Sequence, residues 1–318
     1  MTTSQDVRSA LPERSVLMAF AVFIIVGGGA SVAIRITYAE LPPFWAAASR
    51  FALAGLVLWG IVLYRRIPLP KGRALVGPLL FGTLTVGLAF VLIAWGLVAT
   101  PDSRYQILMA SVPLLTVFLS SAHGIAAITG RGLLGSLLAV SGIAVTTGGT
   151  STSKLSLPHV AAILLAAVLI AEGGVLIKKF PPNPPIMTNA IGMTIGGLIL
   201  AIASLVSGES WTIPTQTSTW VAFLYLVVFV TILAFLLYMF VLRKWSASGT
   251  SYGFVLVPLV TIVVASTLAG EEISSNFLVG AGLVLAGALV GALLPSKTKA
   301  ASIEECKRRS GQVLPRCL

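Results

Sequence analysis

Val112-Pro113-Leu114-Leu115-Thr116 returns further along the chain as Val257-Pro258-Leu259-Val260-Thr261. With that offset held fixed, Ser121 falls on Ser266, Ile128 on Ile273, Leu133 on Leu278 and Gly135 on Gly280. Leu138 then meets Leu283, Gly142 meets Gly287 and Val145 meets Val290. These identities accumulate over residues 112–145 without a gap. An apolar composition yields some matches by itself, but not a shared Pro and two Gly in one ungapped register. The chain reads as an internal duplication.

The 318 residues are 57% hydrophobic and only 10% charged, with a mean hydropathy of +0.99. A water-soluble domain carries about 25% charged residues, so this composition belongs to a polytopic membrane protein. The two cysteines, Cys306 and Cys317, both lie near the C-terminus and form neither a metal-ligand cluster nor a disulfide framework. The first apolar run, from Val16, is long enough to span and is followed by no small-residue cleavage site, so no cleavable signal is expected.

A membrane helix needs about 20 mostly apolar residues. Such windows fall at 16–37, 43–64, 74–98, 101–122, 132–149, 158–179, 185–206, 219–242, 246–269 and 277–294. Lys and Arg positions orient them. With the N-terminus cytoplasmic, the inner segments hold Arg8, Arg14, Arg65, Arg66, Lys71, Arg73, Arg131, Lys178, Lys179, Arg243, Lys244, Lys297, Lys299, Lys307, Arg308, Arg309 and Arg316. The outer segments hold only Arg35, Arg104 and Lys154, while Arg50 lies within the second span. Both termini are therefore expected inside. The net charge of +11 is a topology signal and not a nucleic-acid footprint.

The expected fold is an all-α polytopic membrane protein of ten transmembrane helices. Residues 1–15 are a cytoplasmic segment, 16–149 and 150–294 are five-helix repeats, and 295–318 are a basic cytoplasmic tail drawn to anionic headgroups of the lipid bilayer. Five is odd, so the second copy enters from the opposite side, as an inverted repeat around a central cavity. Leu41-Pro42-Pro43 and Asn183-Pro184-Pro185 extend the correspondence to the earlier spans.

With these features in place, the chain resembles the EamA-like members of the drug/metabolite transporter superfamily. The resemblance rests on the Gly-rich first span leading through Ile34-Arg35 to Leu41-Pro42-Pro43, on Arg50-Phe51, on the two Pro-centred spans and on Gly270-Glu271-Glu272-Ile273. The first copy departs from the family pattern, reading Gly124-Ile125-Ala126-Ala127 where an acidic Gly-Glu is usual. The resemblance implies two inverted five-helix halves without an ATP-driven domain, in a cell (plasma or inner) membrane. Relatives of this kind move amino acids, sugars, nucleotide-like metabolites and drugs.

Charges inside a membrane are costly unless paired or hydrated, so they mark candidate sites. Arg50 lies about 10 Å along its span from the outer end, at 1.5 Å per residue. It would either bind an anionic group of a substrate or tie structurally to backbone carbonyls or to an outer acid such as Glu40. Glu172, about 20 Å from the outer end of its span, would bind a cationic amine, carry a coupling proton, or snorkel to the inner surface near Lys178 and Lys179. A direct Arg50–Glu172 pair is not expected, because their depths differ by about 10 Å.

Tyr105 and Gln106 open the fourth span, and Ser251 and Tyr252 occupy a similar place in the ninth. Together with Trp95 they are candidates to line the cavity, or else to anchor span ends at the headgroup level. Pro113 and Pro258 each remove a backbone hydrogen bond and are read as paired helix bends facing the cavity, with Thr116 and Thr261 satisfying backbone locally. His123 and His159 have no companion at ligand spacing, so no metal is expected, and no cofactor or catalytic residue is assigned. No Gly-x-x-x-x-Gly-Lys-Ser/Thr phosphate cradle occurs. The sequence therefore points to a secondary transporter of a small organic metabolite, an amino acid or similar, in the export direction by alternating access. A broad drug exporter is the alternative. An integral membrane enzyme would need paired acids or a nucleophile with its base, which the spans do not offer.

Overall fold

The computed structural model describes residues 13–100, 102–146, 156–269 and 275–293. The first residues, Gly270-Glu271-Glu272 and the tail with Cys306 and Cys317 lie outside the described residues. The described residues form helices and connecting turns, without a strand.

In chain order the helices are α1 (Arg14–Tyr38), α2 (Pro43–Tyr64), α3 (Arg73–Ala99), α4 (Asp102–Met109 continued by Val112–Ala122) and α5 (Gly130–Thr146). Then come α6 (Leu157–Lys179), α7 (Pro185–Val206), α8 (Thr217–Lys244), α9 (Ala247–Ser251 continued by Gly253–Ala269) and α10 (Ser275–Ala288, ending in a π-helical turn Leu289–Leu293). Six of these, α1, α2, α3, α6, α7 and α8, are long and apolar enough to cross a membrane. The apolar helices Val112–Ala122, Gly130–Val145, Ala247–Thr261 and Leu278–Gly291 are shorter. Leu56, Leu63 and Val206 are among many large apolar side chains left exposed, as expected when the surrounding solvent is hydrocarbon.

Local structure repeats with the sequence. Both α2 and α7 start on a proline, Pro43 and Pro185, and both run for 22 residues. Proline suits a first helical position because its missing N–H would have no intrahelical partner there, and its φ is already helical. Both α3 and α8 open into a π-helical segment midway, at Gly82–Leu88 and Leu226–Leu233.

Packing repeats as well. α3 lies on α6 as α8 lies on α1, and α1 lies on α9 as α6 lies on α4. Exchanging the two halves leaves this pairing unchanged, while α2 meets its own counterpart α7 and α5 meets α10. Both self-paired contacts run antiparallel. Gly197 of α7 faces Ala52 of α2, whereas Gly55, further along α2, faces Met193 and Thr194, earlier in α7. In the other pair Gly142 faces Gly280, and Gly135 faces Gly287 and Gly291. Equivalent helices of the two halves thus point in opposite directions.

Glycine is required where α5 and α10 cross. A Cβ on Gly142 would stand 2.7 Å from the Gly280 carbonyl oxygen, and one on Gly287 would stand 2.6 Å from that of Gly135. Backbone on backbone cannot yield, so only hydrogen fits at these positions. The two glycines of the duplicated motif interlock crosswise, Gly142 against Gly280, the copy of Gly135, and Gly135 against Gly287, the copy of Gly142. A core of Phe51, Leu58, Met187, Met193 and Leu200 binds α2 and α7, and a second, with Ile143, Tyr252 and Val284, binds α5, α9 and α10.

Basic side chains gather at one end of the molecule. Lys244 there pairs with Glu13 at 3.0 Å, and Lys178 donates to the Trp245 carbonyl at 2.5 Å. At the opposite end two carboxylates hold helix starts. Glu209 accepts from the Phe44 and Trp45 amides at 3.0 and 2.7 Å, at the N-terminus of α2. Glu40 accepts from the Thr215 hydroxyl and the Thr215 and Gln216 amides, just before α8. The Thr215 hydroxyl foremost holds the Glu40 carboxyl below the usual carboxylate range. Glu40 is thus committed to α8 and is not the partner of Arg50.

Candidate functional site

A mostly apolar cavity between the halves has a volume of about 330 Å³, at the small end of the range for small-molecule sites. Its walls come from both repeats. Phe23, Ser31, Ile34 and Tyr38 of α1 and Tyr105, Gln106 and Met109 of α4 face Val230 and Phe235 of α8 and Phe254, Pro258 and Thr261 of α9. All lie in the middle of the molecule or toward the end opposite the basic one. α1 can line a cavity because it breaks at Gly29, where a Cβ would meet the Tyr225 hydroxyl at 2.6 Å. That hydroxyl donates to the Val26 carbonyl at 2.7 Å, satisfying backbone beside the break.

Two smaller spaces adjoin the cavity. A chamber of about 40 Å³ lies behind Tyr38 and Tyr105 and is lined by Arg50, Ala47 and Phe90. Arg50 is 5% exposed, and its Nε has no hydrogen-bond partner. Its guanidinium instead sits 4.8 Å from the Phe51 ring centre and 5.4 Å from that of Phe90, within reach of cation–π attraction. A second space, of about 100 Å³, continues toward the basic end and is lined by Thr85, Phe90, Ile170, Phe235 and Tyr238. Thr85 Oγ1 is buried without a partner and presses against Gly173, where a Cβ would stand 2.0 Å away.

Beyond Gly173 is Glu172. Its Oε1 is 2.6 Å from His123 Nε2, and His123 Nδ1 is 3.1 Å from Lys179 Nζ. Glu172 Oε2 is buried without a partner, as is Ser120 Oγ on α4. This cluster lies at the basic end, away from the cavity, and joins α6 to α4. Arg50 and Glu172 form no pair with each other.

The remaining candidates separate. Tyr105, Gln106 and Pro258 line the cavity. Trp95 does not: it is 41% exposed and stacks on His159 at 4.3 Å. Its neighbour Gly96 packs on Ile163, and one residue turns a helix by about 100°, which carries Trp95 out to the surface. Ser251 and Tyr252 also lie elsewhere, near the basic end. The Ser251 hydroxyl donates to the Ser248 carbonyl at 2.7 Å. Tyr252 is fully buried, with its hydroxyl 3.3 Å from Ser136 Oγ and 3.4 Å from the Gly132 carbonyl. The inversion explains the difference, since α4 starts at the cavity end and α9 at the basic end.

The prolines separate in the same way. Pro258 is inside a continuous helix and borders the cavity. Pro113 stands in the first turn after the break at Ala110–Ser111 and is not among the lining residues. In both copies the threonine hydroxyl donates back one turn, Thr116 to the Val112 carbonyl at 2.7 Å and Thr261 to the Val257 carbonyl at 3.2 Å. The cavity residues that sequence reasoning missed, Phe23, Ser31, Tyr38, Phe235 and Phe254, carry no charge or motif to distinguish them from core.

Comparison with known proteins adds to this geometry. The model of the EamA-like transporter family matches residues 14–148 and again residues 157–292. The "uncharacterized inner membrane transporter YedA" of Escherichia coli strain K12 is 32% identical over 271 residues, covering 84% of this chain and 86% of YedA. The S-adenosylmethionine/S-adenosylhomocysteine transporter of Chlamydia muridarum is 26% identical, covering 77% of this chain and 81% of its own. A protein of known crystal structure superposes with a TM-score of 0.73 at 17% identity, over 87% of this chain and 96% of that one, a likeness of fold.

Proposed function

Because this chain belongs to the EamA-like transporter family, within the drug/metabolite transporter superfamily, and is a multi-pass membrane protein, we propose that it is a secondary transporter of a small organic metabolite. The helices then make ten spans, four of them short, in two inverted halves. The basic end faces the cytoplasm, which puts both termini inside and opens the cavity outward. Export is the proposed direction.

The observation that carries this reading is a cavity that both halves wall toward the end opposite the basic one, with buried unpaired polar groups at the equivalent place toward the basic end. A pocket of about 600 Å³ at that end, lined by Lys178, Phe180, Met239 and Arg243, is walled by the second half. Carrying the lining residues through the duplication, Ala30 becomes Glu172 in the register that sets Pro42-Pro43 on Pro184-Pro185. In the register of the later motif Val230 becomes Thr85, Pro258 becomes Pro113, Thr261 becomes Thr116 and Gln106 becomes Ser251. If the halves exchange conformations, these residues line an inward-facing cavity. Thr85 Oγ1 and Glu172 Oε2 are then polar because they meet water and solute in that state. In the outward state they wait without partners. An unpaired buried polar group costs about 1–3 kcal/mol, which favours a second state that relieves it. Glu172 is the group we assign to carry a coupling proton.

Purified protein in liposomes is expected to exchange labelled solutes from a panel of amino acids, sugars, nucleosides and aromatic acids. Ser31→Trp, which fills the cavity, is expected to lower that exchange at least tenfold without lowering thermal stability. No flux of any panel member, alongside turnover of a lipid or peptide, would overturn the transporter reading.

A further inference from the structure

We propose that the Arg50 chamber is a carboxylate-binding subsite, and that the cavity selects solutes with one carboxylate on an apolar, aromatic-sized body. The inference rests on the transporter reading above and adds a substrate class to it. Arg50 is 95% shielded, counting from its 5% exposure, yet its Nε has no partner and no Asp or Glu is among the described residues lining the chamber or the cavity. A guanidinium cannot shed its charge and is costly to bury without an anion. The faces of Phe51 and Phe90 supply part of the compensation, but rings leave the in-plane N–H donors unused. Those donors match a carboxylate in a forked geometry.

Size and polarity narrow the class. The chamber of about 40 Å³ exceeds the roughly 10–15 Å³ that one water needs on the same measure, so it has room for a small group such as a carboxylate. The adjoining 330 Å³ is walled by Phe23, Phe235, Phe254, Met109 and Val257, surfaces that receive a ring or branched chain. Tyr38 and Tyr105 border both spaces, so a ligand can lie across them with its head at Arg50 and its body among the phenylalanines.

The test uses the full chain in detergent and three probes with one body: 3-phenylpropionate, 3-phenylpropylamine and 3-phenylpropanol. A ligand that binds the folded state raises its apparent stability. The carboxylate is expected to raise Tm saturably, with at least tenfold higher affinity than the amine or the alcohol. Arg50→Gln is expected to remove that preference and Arg50→Lys to keep part of it. Since Arg50→Gln removes a buried side chain from a tight site, Gln106→Glu serves as the independent variant, expected to weaken the carboxylate at least tenfold and favour the amine. Equal binding of the alcohol, or an unchanged preference in both Arg50→Gln and Gln106→Glu, would overturn the carboxylate assignment. Flux of a panel solute with no response to the carboxylate would sink this inference and leave the transporter reading standing. Absence of both flux and probe binding would sink both.

Discussion

Gly142→Leu is expected to leave no folded protein in the membrane. Even Gly142→Ala places a methyl 2.7 Å from the Gly280 carbonyl oxygen and 2.8 Å from the Val284 amide nitrogen. Neither backbone atom can move without shifting α10. Overpacking of this kind costs about 1–3 kcal/mol, more than the roughly 1 kcal/mol that alanine gains over glycine in a helix. The pseudo-symmetry makes the prediction sharper. Gly287→Ala, the same change in the other copy, meets the Gly135 carbonyl oxygen at 2.6 Å and the Ala139 amide nitrogen at 2.8 Å, and it is expected to cost about as much. Gly60→Ala, with nothing within 4 Å of its Cβ, is expected to be neutral or stabilising. Thermal unfolding in one detergent compares the three. A harmless Gly142→Ala would mean that α5 and α10 do not cross as described.

The second large effect is expected at Glu172. Glu172→Gln should abolish uptake driven by an imposed pH gradient while leaving exchange of solute for solute largely intact. Glu172 occupies the place in the second half that Ala30, a cavity-lining residue, occupies in the first, in the register that sets Pro42-Pro43 on Pro184-Pro185. Only Gly173 separates it from the pocket that Thr85 lines. One of its oxygens is held by His123, with Lys179 behind the imidazole, and the other has no partner. Tyr238 is the titratable group that faces this region from α8, its hydroxyl 2.9 Å from a Cβ placed on Gly174. Opening the inner end would bring the carboxyl to water and let it take or release a proton. Glutamine keeps the shape and a hydrogen bond to His123 but cannot ionise. A pH-sensitive dye inside the liposomes reads the proton. Unchanged proton movement in Glu172→Gln would remove Glu172 from the coupling.

The duplication was readable because it lies in letters: a Pro, two Gly and their spacing recur in register, and the structure sets those glycines against one another. Helix positions were readable from apolar windows, and the prolines before α2 and α7 appear where their fixed φ places them. What the sequence concealed was three-dimensional. An offset equates Tyr105 with a place near Tyr252, but inversion sends equivalent residues to opposite ends, so one lines a cavity and the other is locked against Ser136. Trp95 is one residue from a packed glycine, and that single step on a helix decides between interior and surface. His123 and Glu172 meet across 49 positions of sequence, a pairing that no local spacing announces.

The central claim, one cavity opening to alternate sides through exchange of the two halves, is met most directly by thiol labelling at an equivalent pair. Thr261 borders the cavity, and its counterpart Thr116, 2% exposed, is not among the lining residues. Replacing Cys306 and Cys317 by serine removes both native thiols, after which Thr261→Cys and Thr116→Cys are labelled singly with a membrane-impermeant maleimide from each side of the membrane. The account predicts that Thr261→Cys reacts only from the outside and Thr116→Cys only from the inside. Labelling of both from the same side, or of Thr261→Cys alone under every condition, would contradict it.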